Sequence, residues 1–299
     1  MTLPPALHRV VRVASWMIMI AALAYLAGVV VHALPRLGEF LRREMIVPMV
    51  LAIPAYTVLL GVVALGWAAL VLSAMPRGRS LRALVAVYGT SQLAKYLPGN
   101  VFHLVGRQML GQGHGFAQKA MAVASVQEGV SVLVACVALS LGAELVSDCV
   151  IVPVAKGLGA AFLLAGAVLL LLALAFHRHF GSFGAYIHVP ALLGALFCHT
   201  LFLVGSAVIV HALAGALVMA PLSFATVLAS WCWAYLSGFV TPAAPGGIGV
   251  REAAFVALLP QQDELGMVLV LVFAMRVISA LGDLLFAAIA FRLGRVQAG

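Results

Sequence analysis

Apolar residues run along this chain in long stretches, separated by short polar punctuation. A helix that crosses the hydrocarbon core of a bilayer needs about 20 such residues. The pattern predicts six full spans, at 13–34, 46–75, 117–143, 152–176, 189–215 and 265–292. Two further apolar regions, 81–106 and 221–260, are each interrupted once. The interruptions are Lys95-Tyr-Leu-Pro-Gly-Asn100 and Thr241-Pro-Ala-Ala-Pro-Gly-Gly-Ile-Gly249. Lipid cannot hydrogen-bond the backbone groups that such a break frees, so it persists only where protein or a wet cavity covers it. Paired breaks in corresponding positions of two halves point to the binding site of a transporter.

Loop charge sets the expected topology, because Lys and Arg collect on the cytoplasmic side. Arg9 and Arg12, then Arg77, Arg79 and Arg82, then Arg107 and Lys119, then His177-Arg-His179, and finally Arg292 and Arg295 mark that side. Glu144 with Asp148, and Asp263 with Glu264, are read as loops on the opposite side. The chain then crosses at 13–34, returns at 46–75, and sends 81–106 in and out from the cytoplasmic side. The second interrupted region, 221–260, enters and leaves from outside. Each half, 13–143 and 152–292, reads span, span, hairpin, span, with the hairpin arms either re-entrant or fully spanning, which leaves the parity unchanged. An odd number of full spans per half makes the halves inverted, with both termini cytoplasmic. The run after Arg12 is too long for a signal-peptide core and is expected to be a retained span.

Composition sharpens this without changing it. Of 299 residues, 65% are hydrophobic and 9% charged, where a soluble domain carries about 25% charge. The expectation is one transmembrane domain over 1–299, with no soluble catalytic domain. The net charge of +8 lies in short loops beside apolar spans, so orientation and anionic lipid explain it and nucleic acid is not expected. Cys136, Cys149, Cys198 and Cys232 are scattered without a CxxC pair, so they imply neither disulfide nor zinc site. No metal and no cofactor is expected.

The breaks carry candidate chemistry. The chain turns at Pro98-Gly99-Asn100, where Asn100 can cap the next helix. It turns again at Pro242 and Pro245, where Gly246, Gly247 and Gly249 leave backbone N–H groups uncovered. A helix N-terminus at such a turn favours phosphate or carboxylate. Close packing through small residues is the competing reading of the glycines. Neither a phosphate-binding GxxxxGK[ST] loop nor a dinucleotide fingerprint is present.

Six charges, Lys95, Glu128, Arg251, Glu252, Arg276 and Asp283, lie inside apolar segments. Each costs about 2.5–3.5 kcal/mol at the bilayer centre on insertion scales, so they must face the interior, pair, or line a wet cavity. At 100° per residue Arg276, Ser279 and Asp283 fall within about 60° of one another. Ser125, Gln127, Glu128 and Ser131 share an arc of about 160°. The expected chamber has Lys95, Arg251 and Arg276 as cations, Arg107 nearer the cytoplasmic mouth, and Glu128, Glu252 and Asp283 as acids. Structural ion pairing between helices is the alternative. His199 and His211 are read as satisfied core histidines, and Trp67, Trp231 and Trp233 as packing or interface residues.

The stretches QLAKYLPGNVFHLVGR at 92–107 and PGGIGVREAAFVALL at 245–259 resemble the integral-membrane flippase region of lysylphosphatidylglycerol synthases and stand-alone proteins related to it. In that resemblance Pro98 and Gly99 match the first motif. Pro245, Gly246, Gly247, Gly249 and Glu252 match the second, Glu128 an acidic position in the following helix, and Arg276 an arginine in the last. The resemblance implies translocation of lipids between leaflets of a bacterial inner membrane, often aminoacylated or otherwise head-group-modified, polyprenyl-linked or glycolipid. The chain departs from the synthases in lacking an aminoacyl-transferase domain, so lipid synthesis is not carried over.

The expectation is therefore an all-α, polytopic lipid flippase-like transporter and not an enzyme. Its partner is a membrane lipid with an anionic headgroup, and a second copy or an envelope-lipid synthase are the protein candidates. Two alternatives stay open: a membrane-embedded enzyme acting on a lipid phosphate, with Glu128 as its one plausible base, and a non-transporting partner of an envelope-lipid synthase.

Overall fold

The structure, a computed structural model, describes residues 43–75, 80–96, 101–146, 186–217, 222–241, 244–259 and 265–295. Every regular element among them is helical. In chain order they are α1 (Arg43–Ser73), α2 (Leu81–Gln92), α3 (Phe102–Gly113), α4 (Gln118–Val146), α5 (Val189–Ala216), α6 (Phe224–Val240), α7 (Val250–Leu258) and α8 (Leu265–Arg295). Two short 3₁₀ turns, Leu93–Tyr96 and Pro245–Gly247, sit in the two interrupted regions.

Four of these helices, α1, α4, α5 and α8, are long and apolar enough to cross a membrane, and α6 is a shorter apolar helix. Their ends fall within three residues of the spans expected at 46–75, 117–143, 189–215 and 265–292. The chain is thus an all-helical, multi-pass membrane protein. The spans expected at 13–34 and 152–176, the loop His177-Arg-His179, and the termini lie outside the described residues.

Helix faces follow from which side chains are apolar and hidden. On α1, Met45, Met49, Ala52, Tyr56, Leu60, Val63, Ala64 and Trp67 recur at helical spacing and are buried. Ile46, Val50, Leu51, Val58 and Leu65 on the other face are exposed yet apolar. Water would penalise that stripe; a lipid surround does not. On α8 the same division separates buried Val268, Leu271, Met275 and Ile278 from exposed Phe273, Val277, Leu281 and Leu284.

The helices pack in exchanged sets. The longest seam joins α1 to α5. Gly66 on α1 lies against Ala195 and Cys198, while Gly205 on α5 lies against Leu59, so the two helices run antiparallel. Helix α2 packs on α8 as α6 packs on α4; α1 meets α8 as α5 meets α4; α3 touches α4 as α7 touches α8. Exchanging α1–α4 with α5–α8 leaves this scheme unchanged. Both hairpin-opening helices begin alike: Ser80 Oγ accepts from Ala83 N at 3.2 Å, and Ser223 Oγ accepts from Thr226 N at 3.1 Å.

Candidate functional site

The two interruptions meet. After α2 the chain tightens into the Leu93–Tyr96 turn. After α6, Thr241 adopts an extended conformation, and Ala244 N donates back to Thr241 O at 3.3 Å. Gly246, Gly247 and Gly249 then take φ of 57°, 73° and 85°, a region that L side chains enter at a cost. Close packing adds a second demand here. A Cβ at Gly238 of α6 would stand 3.1 Å from Arg251 Cβ and 3.2 Å from Gly247 Cα. Gly246 faces the Tyr96 ring and the Lys95 carbonyl of the first interruption.

Three ion pairs surround this meeting point. Arg107 on α3 donates to Glu128 Oε2 on α4 at 2.5 Å, and Tyr88 OH donates to Glu128 Oε1 at 2.8 Å. The Arg107 guanidinium lies 3.8 Å from the Tyr88 ring centroid and 5.3 Å from that of Trp67. Glu252 on α7 pairs with Arg276 on α8, and its other oxygen accepts from Gly249 N at 2.6 Å. Lys95 pairs with Asp283 on α8 at 2.7 Å, and Tyr96 OH donates to the same carboxylate at 2.5 Å. The first two pairs occupy corresponding places, each tying the second arm of a hairpin to the long helix after it, with polarity reversed. The third crosses from the first hairpin to the last helix.

Arg251 differs from the other three cations. Its guanidinium lies over the Tyr235 ring, 4.1 Å from the centroid, and Nε is buried without a hydrogen-bond partner. Among the described residues no carboxylate lies within ion-pair distance of it.

Between the hairpins and the long helices lies a cavity of about 210 Å³. Its wall includes Lys95, Arg107, Glu128, Gly246, Gly247, Arg251, Arg276 and Asp283, so eight residues singled out in the sequence share one space. Ser125, Glu128, Arg276, Ser279 and Asp283 all face it from the polar arcs of α4 and α8. Glu252 lies beside it, in a smaller recess shared with Arg251 and Arg276. Gly249 serves as the N-cap of α7 and does not line the cavity. Pro98, Gly99 and Asn100 lie outside the described residues, and Pro245 opens the second 3₁₀ turn.

Several expectations need correction. Arg107 is not near a mouth: it is 2% exposed, because Trp67, Tyr88 and Glu128 enclose it. The glycine N–H groups are not all uncovered, since Gly247 N donates to Ala244 O at 2.9 Å and Gly249 N to Glu252. The cap position of α3 falls at Val101, which makes no side-chain capping bond. Glu144 belongs to α4 and is buried, where its Oε1 accepts from Trp233 Nε1 at 2.9 Å. Gln127 leaves the polar arc to donate to Tyr186 O. His199 is only half satisfied: Nδ1 donates to Ala195 O at 2.8 Å, while Nε2 is buried without a partner.

The tyrosines are not among the residues that the sequence singles out. Four of the six, Tyr56, Tyr88, Tyr96 and Tyr235, line the cavity, together with His103 and His199. Their one available signal is position: Tyr88 and Tyr96 each fall about one helical turn from Gln92, Tyr96 within the first break, and Tyr235 lies shortly before the other. No family model matches the chain, and no curated protein matches it.

Proposed function

We propose that this chain is a lipid flippase-like transporter, with the cavity between its two interrupted helices receiving an anionic headgroup. The observation that carries the reading is the convergence of Lys95, Arg107, Arg251 and Arg276 on one cavity inside an otherwise apolar bundle. Charges so placed are costly in a membrane unless they serve a pathway or a partner. Acyl or prenyl tails stay in lipid while the headgroup enters. The exchanged packing of α1–α4 and α5–α8, with α1 antiparallel to α5, supports two inverted halves that rock around this site. The resemblance of 92–107 and 245–259 to the flippase region of lysylphosphatidylglycerol synthases points the same way, as does its implied place in a bacterial inner membrane.

The reading of an enzyme acting on a lipid phosphate is less favoured. Glu128, its candidate base, has both oxygens engaged, by Tyr88 and by Arg107. The test is a leaflet-exchange assay in proteoliposomes with head-group-varied, acyl-labelled lipids. Arg251→Ala and Arg276→Ala should each reduce exchange at least about tenfold, the effect of losing roughly 1.4 kcal/mol of recognition. Exchange that survives both substitutions for every lipid tested overturns the site.

A further inference from the structure

The charge inventory of the cavity names a ligand class more narrowly than "anionic". This rests on the reading of the cavity as a headgroup site. Four cations, Lys95, Arg107, Arg251 and Arg276, stand among three carboxylates, Glu128, Glu252 and Asp283. Among the described residues each of these carboxylates already holds one cation, and Arg251 is left over. One uncompensated positive charge matches a single negative charge. A dianion would have to break an existing pair, and an unpaired buried charge is what such a site must avoid.

The rest of the wall describes what accompanies that charge. An ammonium group on the ligand would need a free carboxylate or a free aromatic face. The carboxylates are taken, and so are three ring faces: Arg107 covers Tyr88, Arg251 covers Tyr235, and Lys95 lies 5.4 Å from the Tyr96 centroid. Among the described residues, the buried cavity-lining atoms without a partner are the donors Arg107 Nε and Arg251 Nε, which suit an anion, together with His103 Nδ1 and two acceptors. Gln92 Oε1 and His199 Nε2 are buried and unpartnered, on cavity-lining residues only 8% and 2% exposed. Because His199 Nδ1 carries the proton given to Ala195 O, the neutral ring presents a bare Nε2. Buried acceptors of this kind are normally satisfied, and a hydroxyl satisfies them without adding, as an ammonium would, a further positive charge beside carboxylates that are already paired. The cavity, about 210 Å³, has room for a phosphate and a small polyol.

We infer that the ligand is a singly charged phosphodiester bearing an uncharged, hydroxyl-rich headgroup, its phosphate on Arg251 and its hydroxyls on Gln92 and His199. Aminoacylated and other ammonium-bearing headgroups are disfavoured, although the sequence resemblance implies them.

Binding, not transport, tests this first, so that the two readings can fail separately. Short-chain lipids are titrated against the purified full chain in detergent at pH 8, about two units above the second pKa of a phosphomonoester. The probes are dihexanoyl phosphatidylglycerol, phosphatidylethanolamine and phosphatidic acid, with tailless glycerophosphoglycerol to separate a lipid source from a soluble diester. Phosphatidylglycerol should bind at least about tenfold more tightly than the zwitterion or the dianion. Arg251→Gln should remove that preference and Arg251→Lys should keep part of it. Asp283→Asn, which frees the Lys95 charge, should move the preference toward phosphatidic acid, a shift that mere loss of fold would not produce. Gln92→Leu should weaken phosphatidylglycerol and leave phosphatidic acid unchanged. Equal or tighter binding of phosphatidylethanolamine, or no binding of any probe, overturns the inference. Selective binding without leaflet exchange overturns the transport reading alone.

Discussion

Arg107–Glu128 and Glu252–Arg276 occupy corresponding places in the two sets of helices, yet they are built for different environments. The Arg107 side chain is 2% exposed, roofed by Trp67 and Tyr88, and its carboxylate partner is completed by a tyrosine hydroxyl. The Arg276 side chain is 22% exposed and faces both the cavity and the smaller recess. Its partner Glu252 spends its second oxygen on the backbone of a glycine turn. Both pairs border the cavity, and the difference teaches that one hairpin is fastened by a pair sealed under aromatic rings and the other by a pair with more open surface. The sealed pair holds shape; the open pair can exchange its partner.

The sharpest way to break this comparison is to remove Arg107. Arg107→Met would leave Glu128 charged and enclosed with only Tyr88 for company. Losing one member of a buried pair costs about 3–5 kcal/mol. A large fall in the thermal unfolding midpoint in detergent is expected. The double change Arg107→Met with Glu128→Leu should recover most of it, because an apolar replacement of both partners is close to neutral. A single variant as stable as the parent would mean the pair is not sealed.

The matching change in the other set is Glu252→Gln. It discards the charge on Arg276's partner but keeps an oxygen for Gly249 N–H. Hydrogen bonds to charged groups contribute about 1.5–3 kcal/mol, and Arg276 retains contact with the cavity. The midpoint should fall, by less than for Arg107→Met. If the two losses are equal, the distinction between a sealed and an open pair is lost.

Much of this arrangement is legible in the sequence. Charges inside apolar runs are costly in lipid, so Lys95, Glu128, Arg276 and Asp283 announced themselves, and the α8 arc of Arg276, Ser279 and Asp283 followed from helical spacing. Spans were legible because bilayer thickness sets their length. Three things were not. The partner of Lys95 is Asp283, 188 residues away, and spacing says nothing across that distance. Arg107 with Lys119 reads as a basic loop and Glu144 with Asp148 as an acidic one; enclosure by Trp67 and Tyr88, and by Trp233, is a property of other helices. Tyrosine is at home in both core and interface, so the four that line the cavity carried no alarm.

A smaller effect tests whether the glycine turn is conformationally demanding or merely small. Gly247 has φ of 73°, and a Cβ there would stand 3.3 Å from Gly238 Cα and 3.5 Å from Arg251 Nη2. Forcing an L residue into the left-handed region costs roughly 1–2 kcal/mol. Gly247→Ala should lower the midpoint modestly and, by pressing on Arg251, weaken phosphatidylglycerol binding more than it weakens the fold. A D-alanine introduced at 247 by semisynthesis removes the backbone penalty. Its Cβ replaces the other α-hydrogen and so does not press on Arg251; if both properties return, the turn demands a left-handed backbone with the L position empty, and if neither returns, smallness alone is the requirement.

The smallest expected effect asks where the two sets of helices are alike. Ser80 and Ser223 open the first arm of each hairpin, and each side chain accepts from the backbone N–H three residues on, at 3.2 and 3.1 Å. The geometry and the capping chemistry are the same, whereas the ion pairs beyond them are not. Removing an N-cap serine costs about 1 kcal/mol. Ser80→Ala and Ser223→Ala should therefore each lower the unfolding midpoint by a small amount, and their effects should add in the double variant, since they cap separate helices. Ser223 also has its hydroxyl 2.8 Å from that of Thr226, so any excess loss at Ser223 should vanish in a Thr226→Val background. An excess that remains there would show that the two hairpins already differ at their entrances, before the charged residues at their meeting point are reached.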